Sequence, residues 1–335
     1  MTHAQGAVGP ATSAIREAHP NEIIPTRAVR KENMYSLELA DGSHWGIGAD
    51  GSAASCLAEF SRVMELRSRP NAAQRHLWMT RTGAPSAICS AAWTLKDLGL
   101  IRLYYHKKSA DIVCDLGPKG KRGIEITRMQ MALFPIFEGV QEAGGVPLHA
   151  ALIERDGMGF VIAARGGTGK STCCARIPPP WNALCDDETV IARSPDGIYM
   201  AHPFPTWSRY IVGPCRQTWK VEKALPLRAI FFLDRAATRD EVIPIKGWES
   251  AVRASCLQTQ ILTIIWLGLD RENLYKQRTC FFNNMAAIAG KVPSFVLRAS
   301  LEGAFWEEME SVSLQLKGPR ARPQGGITTL VQEIG

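Results

Sequence analysis

The chain has 335 residues, of which 46% are apolar and 21% charged, with a formal net charge of +7 at pH 7. That balance excludes a disordered or fibrous chain and leaves room for two domains with a sizeable core. The longest apolar run, Ile261 to Leu269, falls short of the roughly 20 residues that span a bilayer. Glu17 and Glu22 interrupt the region where a secretory signal would lie, so the cytoplasm is the expected location.

Residues 1–33 show no period of 2 or 3.6 and read as a flexible tail, with Met34 as an alternative start. Tyr35 to Leu39, the turn signal Asp41-Gly42 and Trp45 to Ile47 then alternate as strand, turn and strand. Helical spacing covers Ala53 to Leu66 and Ala91 to Leu98, the second ending at Gly99. The first domain is accordingly expected over 34–98, as a small α+β unit. Ile101 to Tyr105 and Asp111 to Asp115 alternate as strands, followed by a Gly117-Pro118-Lys119-Gly120 turn. Met129 to Ala143 reads as one helix, kinked at Pro135 and closed by Gly144-Gly145. The second domain is expected over 99–316, and 317–335, rich in Gly and Pro, as a loose tail.

The nine cysteines are odd in number and none lies in a C-x-x-C pair, so they read as reduced thiols. The basic excess is dispersed. Its densest patch, Lys119 to Arg122, reads as a solvated hairpin tip, and neither nucleic acid nor membrane is an expected partner.

The informative segment begins with Pro147 to Ile153, which alternates into the turn signal Glu154-Arg155-Asp156-Gly157 and a second strand, Gly159 to Ala163. That strand runs into Gly166-Gly167-Thr168-Gly169-Lys170-Ser171-Thr172, the strand, glycine-rich loop and helix order of a phosphate-binding loop. Glycines let backbone N–H groups wrap phosphate oxygens closely. Lys170 would pair the β and γ phosphates of ATP, Ser171 would offer its hydroxyl to Mg²⁺, and Thr172 would shield the site. Ala164 stands where the usual pattern has its first glycine. Downstream, Pro178-Pro179-Pro180 stops the helix, and Leu184-Cys185 lead to Asp186 and Asp187 at a strand end. One of these two can ligate Mg²⁺ and the other can act as base, although such a pair is also a common turn or cap. His149 either faces the transferred phosphate or is a satisfied histidine within a sheet. Arg209 either neutralises charge on that phosphate or is an exposed arginine on a strand edge. Among the aromatics, Trp207, Trp219 and Trp248 are open to adenine stacking or to the core.

In order and spacing, Leu148-His149-Ala150, the hairpin, Gly-Thr-Gly-Lys-Ser and Leu-Cys-Asp-Asp-Glu-Thr-Val resemble the catalytic domain of HPr kinase/phosphorylase. The resemblance implies an α/β fold of α+β character, with a mixed sheet and a hairpin before the phosphate loop. It also implies that His149 lies near the phosphates, that Lys170 and Ser171 bind nucleotide and Mg²⁺, and that Asp186 or Asp187 is the base. The bifunctional enzymes carry a glutamate where this chain has Thr172, and a Gly-Arg-Gly-rich signature missing here, so kinase without phosphorylase activity is implied. His202 to Arg209, Met34 to Gly42 and Val292 to Leu297 are similar to shorter relatives encoded beside peptide-maturation genes, above all the SynChlorMet cassette family ScmC. That similarity implies a ribosomally made peptide acceptor, with radical-SAM and carrier proteins of the same cassette as partners. A scaffold that holds or slowly hydrolyses ATP, and a small-molecule kinase, are the rival readings, and a homo-oligomer is allowed.

Overall fold

The computed structural model describes residues 34–68, 73–81, 92–213, 215–236, 238–266 and 269–316, so both expected tails lie outside the described residues. In the first unit, β1 (Tyr35–Glu38) and β2 (His44–Ala49) form the expected hairpin over Asp41-Gly42, and α1 (Ala54–Val63) follows. After β3 (Arg67–Ser68) and β4 (Arg75–Thr80), β5 (Trp93–Asp97), β6 (Arg102–His106) and β7 (Ile112–Asp115) complete a 7-stranded mixed sheet in the order β3-β1-β2-β4-β7-β6-β5.

Two expectations are corrected here. The segment 93–97 is a strand rather than a helix, because it pairs antiparallel with β6 and Gly99, at φ +79°, forms the turn between them. The boundary placed near residue 98 therefore falls inside a hairpin, and the first sheet continues to Asp115.

Past the Gly-Pro turn lie α2 (Arg122–Met131) and α3 (Phe134–Glu142), two helices in place of one kinked helix. Pro135 sits in the first turn of α3, where the missing N–H has no helical acceptor to lose and the fixed φ favours initiation. Arg122 belongs to α2 and donates to the Tyr210 carbonyl, so the basic patch does not end in a hairpin tip.

The second sheet is 9-stranded and mixed. It contains β8 (Val146–Leu148), β9 (Ala150–Arg155) and β10 (Met158–Ala163), followed after α4 (Lys170–Arg176) by β11 (Asn182–Cys185), β12 (Glu188–Arg193) and β13 (Tyr199–Phe204). After α5 (Trp207–Val212) come β14 (Leu225–Arg235), β15 (Glu241–Pro244), α6 (Gly247–Trp266), α7 (Arg271–Ala289), β16 (Ser294–Ala299) and α8 (Phe305–Gln315). β10 is antiparallel to β9 and parallel to β14, which is parallel to β16.

Alternation assigns each residue a face. Ile153, Phe160, Ile162, Phe231 and Leu233 pack toward Cys173 of α4 and Phe305 and Met309 of α8. Leu152, Val161, Ile230 and Phe232 join the larger core with Phe137, Phe281 and Met285. Covered on both faces, β10 is buried at every position, which is why it reads as one apolar run.

The first unit is joined to this sheet at defined points. Phe60 of α1 stacks on Trp207 at 5.9 Å. The Trp219 N–H donates to the Val63 carbonyl at 2.9 Å. Lys96, Tyr105 and Gln277 all donate to the Glu138 carboxylate.

Candidate functional site

The hairpin that feeds the loop is present. Asp156 and Gly157 take positive φ of 51° and 73°, the pair of left-handed residues that a tight two-residue turn requires. It is shorter at its start than expected, because β8 pairs with β12 and only β9 pairs with β10. His149 is the residue between those two strands, which turns its ring toward the loop. Gly167 and Gly169 have φ of 75° and 126°, the region a Cβ disfavours. α4 has only 7 residues before the prolines end it, so an anion at the loop would rest on the loop amides and Lys170 rather than on a long helix dipole.

Lys170 is buried, and its Nζ lies 3.0 Å from both the Ala164 carbonyl and His149 Nε2. Burial holds the ammonium below its ordinary pKa and outweighs the opposite pull of Asp187 and Asp186. His149 Nε2 is also 2.8 Å from Asp187 Oδ1. One ring nitrogen cannot both accept from Lys170 and donate to Asp187, so the two contacts are alternatives set by the tautomer. With Nε2 protonated, His149 holds Asp187 and leaves Lys170 two donors to turn elsewhere. Thus His149, Lys170 and Asp187 are brought together.

β11 is antiparallel to β9 and therefore runs in the same direction as β10, one strand removed. That is how Asp186 and Asp187 reach the loop's edge of the sheet. The strand end expected for them is thus that of β11, which β9 separates from β10. Asp186 is buried. It accepts from Thr206 Oγ1 at 2.6 Å and from Arg209. Burial favours its neutral form, but hydrogen bonds from Thr206, Ser171 and Arg209, together with the guanidinium charge, hold the carboxyl below the ordinary 3.8. Arg209 lies on α5, not on a strand edge, and pairs with Asp186, because the Pro203 to Thr206 segment ends β13 and starts a short helix over the site. Trp207 and Trp219 are buried in the core, and exposed Trp248 lines neither cavity described next.

Two cavities flank the loop. One of about 200 Å³ is lined by Ser171, Cys174, Cys185, Asp186, Arg209 and Gln217 among others. The other, of about 340 Å³, is lined by Gly167, Thr168, Gly169 and Thr172 on one side and by Leu233, Arg235 and Leu301 on another. Ser171 and Thr172, adjacent on α4, thus face different cavities.

The family described as SynChlorMet cassette protein ScmC matches residues 112–314. The chain belongs to that family. The match takes in β7, the glycine-rich loop, both aspartates, Arg209 and nearly all of α8. It omits most of the first sheet. A curated alcohol dehydrogenase 1 from Tanacetum cinerariifolium is 33% identical over 69 residues, 20% of this chain and 18% of that enzyme. The chain thus spans less than a fifth of that relative, and a likeness of this extent carries no activity across. The ScmC membership points to partners within the same cassette. Among the described residues, no helix is long and apolar enough to cross a membrane.

Arg235 is a site residue that the sequence reading missed. It donates to the carbonyls of Gly167 and Thr168 from the end of β14 and so pins the loop from outside. No motif marks it, since it lies 67 positions beyond Thr168 in sequence. Thr206, the partner of Asp186, lies within the His202 to Arg209 segment, but nothing in the sequence marks it with a role.

Proposed function

We propose that this ScmC protein is a kinase of the HPr-kinase type, transferring the γ-phosphoryl group of ATP to a serine or threonine hydroxyl of a cassette peptide or small protein. The observation that carries the reading is the convergence of Lys170, Ser171, Asp186 and Asp187 on one edge of the sheet, directly after a loop shaped for phosphate. The hairpin before the loop, the mixed sheet and His149 beside Lys170 support kinship with that fold.

The roles of the aspartates, open in the sequence, are divided by their surroundings. Asp186, held ionised and in contact with Ser171, suits a metal. Mg²⁺ is commonly bound by one or two carboxylates plus phosphate oxygens and water, and the pair Ser171 and Asp186 fits that pattern. The ion would offset charge on the β and γ oxygens. Asp187 lines neither cavity, and its side chain is 33% exposed. It is the carboxylate an incoming hydroxyl can reach.

In the proposed step the acceptor oxygen bonds to the γ phosphorus in line while the bond from that phosphorus to the β-γ bridging oxygen breaks. The hydroxyl proton passes to Asp187, and ADP departs. His149 acts as a positioning residue through its bond to Asp187. Arg209 stands on the other side of Asp186, where its fork can turn toward the transferring group. The open setting of Asp187 favours a peptide over a small molecule in a closed pocket. The cytoplasm, with radical-SAM and carrier proteins as partners, is part of the same proposal.

The test is mass spectrometry of the co-encoded short peptide after incubation with the protein, Mg²⁺ and labelled ATP, with Asp187→Asn as control. Loss of a positioned base costs about 10²–10⁴-fold in rate, so the control should bind ATP yet lose transfer. ATP binding with no phosphorylated peptide, but with nucleotide-dependent capture of partner proteins, would move the function to a scaffold.

A further inference from the structure

Beyond the loop residues on one side of it, the larger cavity has no role in the chemistry above. Its position follows from α4, where Ser171 faces the Asp186 cavity and the next residue, Thr172, faces this one. For a triphosphate lying along the loop with its γ end at Ser171 and Asp186, this cavity is the open space on the Thr172 side. The cavity's apolar wall is Cys173, Leu233, Ala236 and Ala299, and at its rim Leu301 is 81% exposed. A leucine so exposed beside a concave apolar surface suits a flat ligand face.

The wall that carries Leu301 is built in place. Arg176 donates to the Ser300 carbonyl at 2.8 Å and to that of Gly303, and its guanidinium lies 5.6 Å from the Phe305 ring centroid. The Ser300 N–H donates to Asp240 at 2.6 Å. On the opposite wall, Arg235 is engaged with the loop carbonyls. The charged side chains of the lining are therefore committed to the protein itself, which leaves shape and apolar contact to hold a ligand.

Resting on the phosphate-loop reading, we propose that this cavity holds the nucleoside half of the nucleotide, with Leu301 packed over the base and little discrimination between purines. At about 340 Å³ it lies within the range of small-ligand sites.

The experiment compares ATP, GTP and inorganic tripolyphosphate, which has no base, by competition against a fluorescent ATP analogue on the full chain. Leu301→Ser should weaken ATP and GTP by about tenfold, while tripolyphosphate changes less than about twofold. Leu301→Phe should restore nucleotide affinity, and wild-type ATP and GTP should agree within about threefold. Unchanged ATP affinity in Leu301→Ser, equal losses for ATP and tripolyphosphate, or a strong preference for one purine would overturn the proposal. Failure of both ATP and tripolyphosphate to bind the wild type would instead refute the phosphate-loop reading, and this site with it.

Discussion

Glu188 opens β12 immediately after the proposed base, is 2% exposed, and has an Oε1 without a hydrogen-bond partner among the described residues. Burial, reinforced by the neighbouring Asp187 charge, pushes its carboxyl well above the ordinary 4.5. The folded protein therefore keeps a proton there that the unfolded chain releases, which also spares Asp187 a second adjacent charge. A carboxyl raised on folding contributes stability that is full below pH 4.5 and is lost as the pH climbs toward the folded-state value. For one proton the slope between the two values is about 1.4 kcal/mol per pH unit. Glu188→Gln keeps the shape and removes the titration, so the variant should gain on the wild type by up to that slope as the pH rises. Denaturant unfolding of both proteins at steps from about pH 5 to about pH 8 measures the difference directly. Parallel profiles would refute the buried neutral carboxyl, whatever the absolute stabilities.

Asp186 has the opposite sign. Its carboxyl is depressed, so its contribution is present above 3.8 and disappears as the pH falls through the folded-state value. Asp186→Asn should flatten acid unfolding in that range, and an unaltered acid limb would show that the Thr206, Ser171 and Arg209 contacts contribute nothing. In the proposed metal site Arg209 would compete with the cation for Asp186, so Arg209→Ala should tighten Mg²⁺ binding by a few fold while slowing transfer. A Mg²⁺ titration of nucleotide binding that does not shift would exclude the competition. Arg235→Ala should weaken ATP and tripolyphosphate alike, because it frees the loop both ligands need, and a loss confined to ATP would place Arg235 on the nucleoside instead. Phe60→Ala removes the ring stacked on Trp207 at the junction of the two units and should cost about 3–5 kcal/mol in unfolding free energy. A cost below about 1 kcal/mol would mean that the junction is not part of the cooperative unit.

The glycine-rich loop between β10 and α4 was legible because its pattern is local. Gly167, Gly169, Lys170 and Ser171 are close in sequence, and the strand before and helix after them follow from adjacent residues. The same holds for the turn at Asp156-Gly157 and the stop at Pro178 to Pro180. Errors arose where one local pattern had two partners to choose from. Residues 93–97 form a strand because β6 lies beside them, and the helix around Pro135 divides because a proline starts a helix as readily as it kinks one.

By itself, then, the amino-acid sequence determined the loop, its strand, its lysine and serine, and the presence of two carboxylates shortly after them. Only the tertiary structure decided what surrounds each carboxylate. It set Asp186 against Ser171, Thr206 and Arg209, and left Asp187 to His149 and solvent. It also brought Arg235 and Leu301 to the loop from strands and turns far along the chain. Short-range motifs record what neighbouring residues must do together. The environment that fixes a charge, exposes a base or shapes a cavity is assembled from residues whose sequence separation carries no pattern.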